Sequence, residues 1–441
     1  MTESIPEFAA FVAIDWADKK HVWALRVAGS GPVEKGELDN TPEAVESWAA
    51  QLALRFSGRA VAVALEQRRG ALVAMLSKYA HVVLYPIHPN TQANYRKAFY
   101  PSGAKSDPTD AALLLELLVK HRDRLPPLKP ESEETRKLQF LVEERRKLVD
   151  PKTAFSNQLT GWAKQVFPQL LVWFEDISSV LVCELLQKWP TLAQLKKVRP
   201  ATLEKFFREH NCRPLERIQQ TVQAIQQAVV ATTDPALLEV AQLAMLSLVG
   251  LITELRHSLS VYDKRLATIS QAHPDFAIFD SFPAAGPVML PRLIAAFGTD
   301  RQRYPTAVHL QCHSGIAPVT ESSGQQQWVH WRWACPKFVR QSFQEWSHLT
   351  IRFCGWAKEF YDRKRQAGLG HHAAVRALAF KWQRILFRCW MDRQPYLESR
   401  YLEALAKSSR RQAAPSAGSA QRPKIVMKSC GSFTKLEGLT S

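Results

Sequence analysis

The chain has little of what stabilises secreted domains or anchors proteins in membranes. Its seven cysteines (Cys183, Cys212, Cys312, Cys335, Cys354, Cys389 and Cys430) are odd in number, scattered, and include no C-x-x-C pair. A disulfide framework and a structural zinc site are therefore not expected, and a reducing cytoplasm is. Cys312, His313, His330 and Cys335 follow spacings that fit no common zinc pattern and read as ordinary packing. Long apolar runs are also scarce. The most apolar long window, Leu243 to Ile252, is about half of what a membrane span needs. The opening segment MTESIPEFAAFVAIDWADKK has no basic start before an apolar run, so no signal peptide is indicated and a soluble, intracellular protein is expected.

Acids are in deficit too. The 41 Asp and Glu face 58 Lys and Arg, leaving a net charge of +17. Such a surplus favours polyanions, because neutralising phosphates releases condensed counterions. The plain alternative is a basic protein with no specific partner, and charge alone does not separate the two. What the chain does have is 441 residues with 46% hydrophobic content, enough for two or three cored domains and incompatible with global disorder.

Along residues 10–125, strand-like and helix-like patterns alternate. Phe11-Val12-Ala13-Ile14-Asp15 is an apolar run ending in a carboxylate, and His21 to Val27 reads as a second strand after a turn at residues 17–20. Glu34 to Glu37 gives a third strand, followed by a capped helix from Pro42 to about Phe56. Ala60 to Leu65 is a buried-type strand, again ending in a carboxylate, Glu66. A helix over Gly70–Tyr79, a strand over His81–Pro86 and a helix over Ala111–His121 complete an α/β domain with a mixed sheet. From Pro130 to about Pro274 the patterns are helical. Apolar stripes over Glu134–Val149 and Leu237–Ile269 predict a helical hairpin or coiled-coil arm. Residues 276–400 read as a mainly helical region rich in Trp, Arg and His. The tail after about Ala406, with seven basic residues against Glu437 alone, reads as disordered.

Asp15 and Glu66 each close a strand, and Asp107 and Asp110 stand three apart at a helix start, on one helical face. Four hard oxygen donors suit one or two Mg²⁺ or Mn²⁺ ions, which stabilise the attacking and leaving oxygens in phosphoryl transfer. Each acid alone is more simply a turn residue or a helix cap. Jointly, the order Asp, Glu, Asp-x-x-Asp in an α/β domain is fairly specific for an RNase H-like nuclease core.

The segments AIDWADKKHVWAL, AVALEQ and AKSDPTDAALLLELL resemble the RuvC-like domain of insertion-sequence transposases with a DEDD tetrad. These are related to pilin-gene DNA invertases and known as bridge-RNA-guided recombinases. Asp15, Glu66, Asp107 and Asp110 match the tetrad, and Lys105 matches the family's lysine before the third acid. The chain departs at Gln67-Arg68-Arg69-Gly70, where the family has A-T-G. Phe282 to Pro287 resembles the family's helix-hairpin-helix-like turn, and Gly298 to Tyr304 its following G-D-I-x-R-F. Cys312 to Gly324 is similar to A-x-x-G-L-x-P-x-x-x-x-S-G, which maps the family's serine nucleophile onto Ser323, with Ser322 adjacent. Read without the family, Ser322-Ser323-Gly324 is a polar surface turn. Arg332, Lys337 and Arg340 keep part of the basic stretch downstream and are candidate nucleic-acid contacts. Trp328, Trp331 and Trp333 beside them serve equally well as core residues or as stacking surfaces.

The resemblance implies residues 8–128 as an RNase H-like (RuvC-like) α/β domain and 129–274 as a helical or coiled-coil linker. It implies 275–403 as a mainly helical serine domain, followed by a basic tail over 404–441. It also implies a recombinase of a bacterial mobile element, cytoplasmic and nucleoid-associated, that cuts and exchanges DNA strands through a phosphoserine link. Its partners would be double-stranded DNA at element ends and target, a structured non-coding guide RNA, and further copies of itself in a dimer or tetramer. Two other classes remain. One is a metal-only RuvC-like nuclease or junction resolvase; the other is a non-catalytic nucleic-acid-binding protein, which an alanine at any of the four acids would have favoured.

Overall fold

In the computed structural model, residues 7–29, 31–99, 107–129, 131–324 and 326–413 are described. The chain divides into two compact units, Met1–Pro130 and Glu131–Ser441. The N-terminal unit is a five-stranded mixed sheet flanked by helices. Its strands are β1 (Ala10–Asp15), β2 (Lys20–Val27), β3 (Glu34–Asp39), β4 (Val61–Leu65) and β5 (Val82–Pro86). They lie in the order β3-β2-β1-β4-β5, with β3-β2-β1 antiparallel and β1-β4-β5 parallel. Interleaved are α1 (Pro42–Arg55), α2 (Ala71–Leu76), α3 (Pro89–Phe99) and α4 (Asp107–His121). α1 starts where Thr41 caps the Ala44 N–H and Pro42 supplies a pre-set φ.

The two faces of the sheet differ in side-chain size. One presents Val12, Ile14, Leu25, Val63 and Leu65 to Val45, Trp48 and Leu52 of α1 and to Leu72 and Leu76 of α2. The other is paved with Ala13, Ala24, Ala62 and Ala64, and there α4 lays Ala111, Leu114, Leu115 and Leu118. Alternation along each strand produces both faces from one run.

The C-terminal unit is built on two long helices, α5 (Glu133–Val166) and α11 (Pro235–Gln271). They run antiparallel, with Leu138 clustered with Leu266 near one end and Leu159 with Met245 and Val249 towards the other, and Arg145 Nε pairs with Asp263 Oδ1 at 2.5 Å. α5 runs well past the apolar stripe read over Glu134–Val149: the helix continues through Pro151, which costs one backbone hydrogen bond that packing offsets. α11 is also longer and more apolar than its sequence window indicated, by length and composition long enough to cross a membrane. Its inner side is committed to the core through Ala241, Met245, Leu248, Val249, Ile252 and Leu266. Between the two helices the chain forms α6 (Gln169–Trp173), α7 (Val180–Lys188), α8 (Leu192–Lys196), α9 (Pro200–Glu209) and α10 (Leu215–Gln227). These share a core with Leu159 and Ala163 of α5.

The other end of the hairpin is continuous with the C-terminal core. Leu138, Val142 and Leu266 pack in one cluster with Phe279, Leu293, Phe297, Phe343, Trp346, Trp382 and Trp390. Residues 129–274 and 275–403, expected as separate domains, thus lie in one unit, because Leu138, Val142 and Leu266 at this end of the hairpin are part of the C-terminal core. The remaining elements are α12 (Phe276–Asp280), α13 (Met289–Phe297), α14 (Ala307–His313), the β6 (Val319–Ser323)–β7 (Gln326–His330) hairpin, α15 (Lys337–Phe353), α16 (Gly355–Gln366), α17 (His371–Asp392) and α18 (Glu398–Ala413). α18 corrects the expectation of disorder from residue 404. Leu, Glu, Ala, Lys and Arg dominate YLEALAKSSRRQA and favour helix up to the approach of Pro415. Residues 414–441 lie outside the described residues.

His273 is buried in this unit and uses both ring nitrogens. Nδ1 accepts from the Asp275 N–H at 3.1 Å, and Nε2 lies 3.4 Å from Thr135 Oγ1. Burial holds its pKa below the ordinary 6.5, against the opposing pull of Asp275 and with Arg301 adding to the depression. A histidine with a depressed folded pKa contributes stability above its unfolded pKa, and that stability is lost as the pH falls through the folded value. We therefore expect thermal stability to decline as the pH falls below about 6.5. The decline should be shallower in His273→Gln, as melting curves across that range would record.

Candidate functional site

The acids are delivered by the sheet's register. Ile14 of β1 is paired with Leu65 of β4, so Asp15 and Glu66 leave adjacent parallel strands at the same end. α4 reaches that end from the opposite direction. Arg122, which follows α4 directly, lies over the rings of Phe8 and Phe11 at 5.4 and 5.6 Å, by the start of β1. Its first turn, with Asp107 and Asp110, is thus at the far end, where Asp15 and Glu66 emerge. The positive end of the helix dipole favours carboxylates there.

The four acids differ in setting. Asp15 and Glu66 are half-buried, Asp107 is exposed, and Asp110 is 4% exposed. Asp110 is ion-paired with Arg96 of α3, and its backbone carbonyl accepts from Gln92 Nε2 at 3.3 Å. Tyr95 Oη donates to Glu116 Oε1 at 3.1 Å, tying α3 to α4 again further along the helix. The donor chemistry and the chain placement fit a divalent cation. The side-chain positions do not: among the described residues no three His, Cys, Asp or Glu groups converge closely enough to hold a metal ion. Arg96 and Gln92 carry no sequence signal that would have found them, since their partner is contributed by another helix. Lys105 lies outside the described residues.

Ser323 is the last residue of β6, at the tip of the β6–β7 hairpin, paired with Gln326 and exposed. Ser322 precedes it, paired with Gln327 and also exposed, and alternation sends the two side chains to opposite faces. Gly324 makes the turn at φ +57°, a left-handed conformation that glycine adopts at no steric cost. Among the described residues no side chain hydrogen-bonds Ser323 Oγ.

The hairpin itself is braced from below. Ser314 Oγ donates to Gln311 O at 3.1 Å and accepts from Gln383 Nε2 of α17 at 2.7 Å. Gly315, at φ +71°, packs on Cys335, whose Cβ would lie 2.8 Å from an added methyl. Ile316 enters the core, 1% exposed. Arg332 Nε donates to Ala317 O at 3.1 Å and Arg340 Nη1 to Arg332 O at 3.2 Å, so both carry structural contacts as well as charge. Lys337 is exposed at the start of α15. Trp328 and Trp331 are half-buried and Trp333 is 78% exposed; the tryptophans of the core are others, Trp346, Trp382 and Trp390. Arg301 and Arg303, in the segment resembling G-D-I-x-R-F, are committed to Asp275 and Glu131 at 2.6 and 2.8 Å.

Two family profiles match these regions. One, described as a transposase and built on the DEDD transposases of IS110-type elements, covers residues 12–168. The other, the transposase IS116/IS110/IS902 family, covers residues 277–362. Among similar proteins is one from Streptomyces coelicolor named as a putative transposase of the IS117 mini-circle. It is 26% identical over 406 residues, which span 90% of this chain and 98% of that protein. A 43.6 kDa protein of insertion element IS110 from the same organism is 26% identical over 84% of this chain and 91% of its own length. A 42 kDa protein of IS900 from Mycobacterium paratuberculosis is 25% identical over 74% of this chain and 80% of its own.

The two glycines of the serine segment make separable demands. Gly315→Ala combines left-handed strain with a clash against Cys335 and should destabilise the C-terminal unit by about 1–3 kcal/mol. Gly324→Ala meets no atom within 4 Å, so the strained φ alone should cost about 1 kcal/mol. Chemical denaturation of both variants would check the order; an equal loss would show that the Cys335 contact is not what demands Gly315.

Proposed function

Because the chain belongs to the IS116/IS110/IS902 family of transposases, enzymes of DNA strand cleavage and rejoining, we propose that it exchanges strands through Ser323 and an acidic centre at Asp15, Glu66, Asp107 and Asp110. The observation that carries this reading is the delivery of all four acids to one end of a mixed sheet by β1, β4 and α4. On the same ground we read the N-terminal unit as RNase H-like, of RuvC type. The acids would hold Mg²⁺ or Mn²⁺ only once their side chains converge, which requires Asp110 to leave Arg96. When bound, such an ion supplies Lewis-acid charge at the attacked phosphate and lowers the pKa of a hydroxyl.

The chain's own part is positioning. Ser323 Oγ forms a bond to phosphorus, the bond from phosphorus to one flanking sugar oxygen breaks, and the serine proton leaves to a base or to that oxygen. The phosphoserine keeps the energy of the broken linkage. A DNA hydroxyl from another strand attacks it, rejoins the backbone and restores the serine. The hairpin tip suits this role because an exposed hydroxyl on a braced strand can enter a groove without moving the core. Ser323 is preferred over Ser322 because it adjoins Gly324, where backbone of a bound strand can approach closely.

The resemblance further supports a structured non-coding guide RNA as a partner, a dimer or tetramer as the working form, and a bacterial cytoplasm as its place. The basic surface is compatible with RNA and DNA alike. A second reading, a metal-dependent nuclease or junction resolvase without serine chemistry, draws on one observation: Ser323 has no hydrogen-bonded base among the described residues.

Trapping on labelled element-end DNA with Mg²⁺ and co-expressed flanking RNA decides between them. The expected outcome is an SDS-resistant protein–DNA adduct in the wild type that disappears in Ser323→Ala and in Asp15→Ala. Metal-dependent nicking that survives Ser323→Ala, with no adduct at any stage, would sink the serine nucleophile and leave the nuclease. Adduct formation without the RNA would remove the guide from the cleavage step.

A further inference from the structure

At the base of the Ser323 hairpin lies a cationic cluster that no carboxylate among the described residues neutralises. Trp331, the first residue after β7, is flanked by two guanidinium groups. Arg376 of α17 has its Cζ 3.6 Å from the centroid of the indole, and Arg340 of α15 has its Cζ at 4.8 Å. Trp333 stands 6.2 Å from Trp331 and is largely in solvent. Several arginines in this unit are spent on acids: Arg145 on Asp263, Arg292 on Glu345, Arg301 on Asp275, Arg303 on Glu131. Among the described residues none of Arg332, Arg340 and Arg376 has an acidic partner. Arg376 is the more exceptional, since it is half-buried and its Nε is shielded from water with no hydrogen-bond partner. Burial, with Arg340 adding repulsion, lowers its pKa from the usual arginine value.

Holding two like charges against one indole, one of them partly desolvated, is unfavourable without a counter-charge. An indole face offsets part of that cost, by about 0.5–2 kcal/mol per cation. An anion offsets more, because guanidinium donors match phosphate oxygens in pairs. We infer that Arg376 and Arg340, held by Trp331, form a receptor for a backbone phosphate of the DNA strand that Ser323 attacks.

The spacing sets which phosphate. Ser323 is four residues along β6 from Val319, and Val319 pairs with His330, the neighbour of Trp331. At about 3.3 Å per residue the hairpin spans about 13 Å from base to tip. With a rise of about 3.4 Å per nucleotide, the receptor engages the strand about four nucleotides from the attacked phosphate. Trp333, exposed beside the receptor, is placed to stack on a base of the same stretch if it is unpaired. Arg332 serves the hairpin instead, bracing it through contacts to the carbonyls of Ala317 and Pro318. The inference rests on the reading of the Ser323 hairpin as the DNA-facing element.

Equilibrium binding of labelled DNA, single-stranded and duplex, to the full chain in a Ser323→Ala background tests it without chemistry. Arg376→Gln should weaken binding about tenfold and lower the slope of log K against log salt by about 0.7–0.9, the value for one phosphate contact. Arg340→Gln should do the same, which keeps the test open if Arg376→Gln fails to fold by circular dichroism. Arg376→Lys should restore the slope while recovering only part of the affinity, since it keeps charge but loses the planar fork. Arg388→Gln removes an exposed charge from the same helix and should bind as the parent does. Folded Arg376→Gln and Arg340→Gln proteins with parental affinity and slope would overturn the receptor. So would an equal loss from Arg388→Gln, or a loss confined to RNA of the same sequence. Loss of binding in these variants with no Ser323 adduct in the wild type would leave the receptor standing and overturn the serine reading alone.

Discussion

The placement of Asp107 and Asp110 relative to the strand ends depends on one packing constraint, the close approach of α4 to an alanine-paved sheet face. Ala13, Ala24, Ala62 and Ala64 project no further than a methyl, so Leu114, Leu115 and Leu118 settle directly on the strands. Core helices are held at a distance set by the side chains between them, and methyls set a short one. That distance decides where Asp107 and Asp110 are carried relative to the strand ends. Parallel register between β1 and β4 supplies the other half of the constraint, since a slip of one residue would send Asp15 or Glu66 to the opposite face.

The C-terminal unit handles exposure differently. Its hydroxyl is presented on a two-stranded hairpin, an element of marginal stability when isolated. The hairpin is kept in shape by what lies beneath it: Ile316 in the core, Ser314 clamped by Gln383, Gly315 against Cys335, and Arg332 across two carbonyls. In the proposed serine chemistry, rigid support under the exposed tip would keep the hydroxyl in place on a large, stiff polymer, because misplacement at the base is magnified at the tip.

Charge is apportioned by the same logic. The surplus of +17 says that the protein favours polyanions, but it does not say which cations meet them. Arg145, Arg292, Arg301 and Arg303 close ion pairs that hold helices and turns together. Arg332 and Arg340, both read from the sequence as nucleic-acid contacts, carry hairpin geometry as well. Arg376, unremarkable in its helical context, is a half-buried cation with no acidic partner among the described residues.

Strand ends in carboxylates, apolar alternation, helix caps and the two long apolar stripes are local patterns, and each depends only on near neighbours in the chain. They determined the mixed α/β unit, the order of its strands and of its helices other than α3, the antiparallel helical pair, and the acids and serine at the centre of the proposed chemistry. Boundaries set by a single residue were less legible. The stripe read over Glu134–Val149 covers only the first half of a helix that runs on through Pro151, and a polar, basic composition after Ala406 concealed a helix to Ala413. The partners of Asp110, the bracing of the Ser323 hairpin, the fusion of the hairpin base with the C-terminal core and the stacking of Arg376 on Trp331 were decided only by tertiary structure. Each joins residues from separate elements. Nothing in their local sequence distinguishes them, because an ion pair or a stacked ring depends on distance in space, which packing of the whole unit sets.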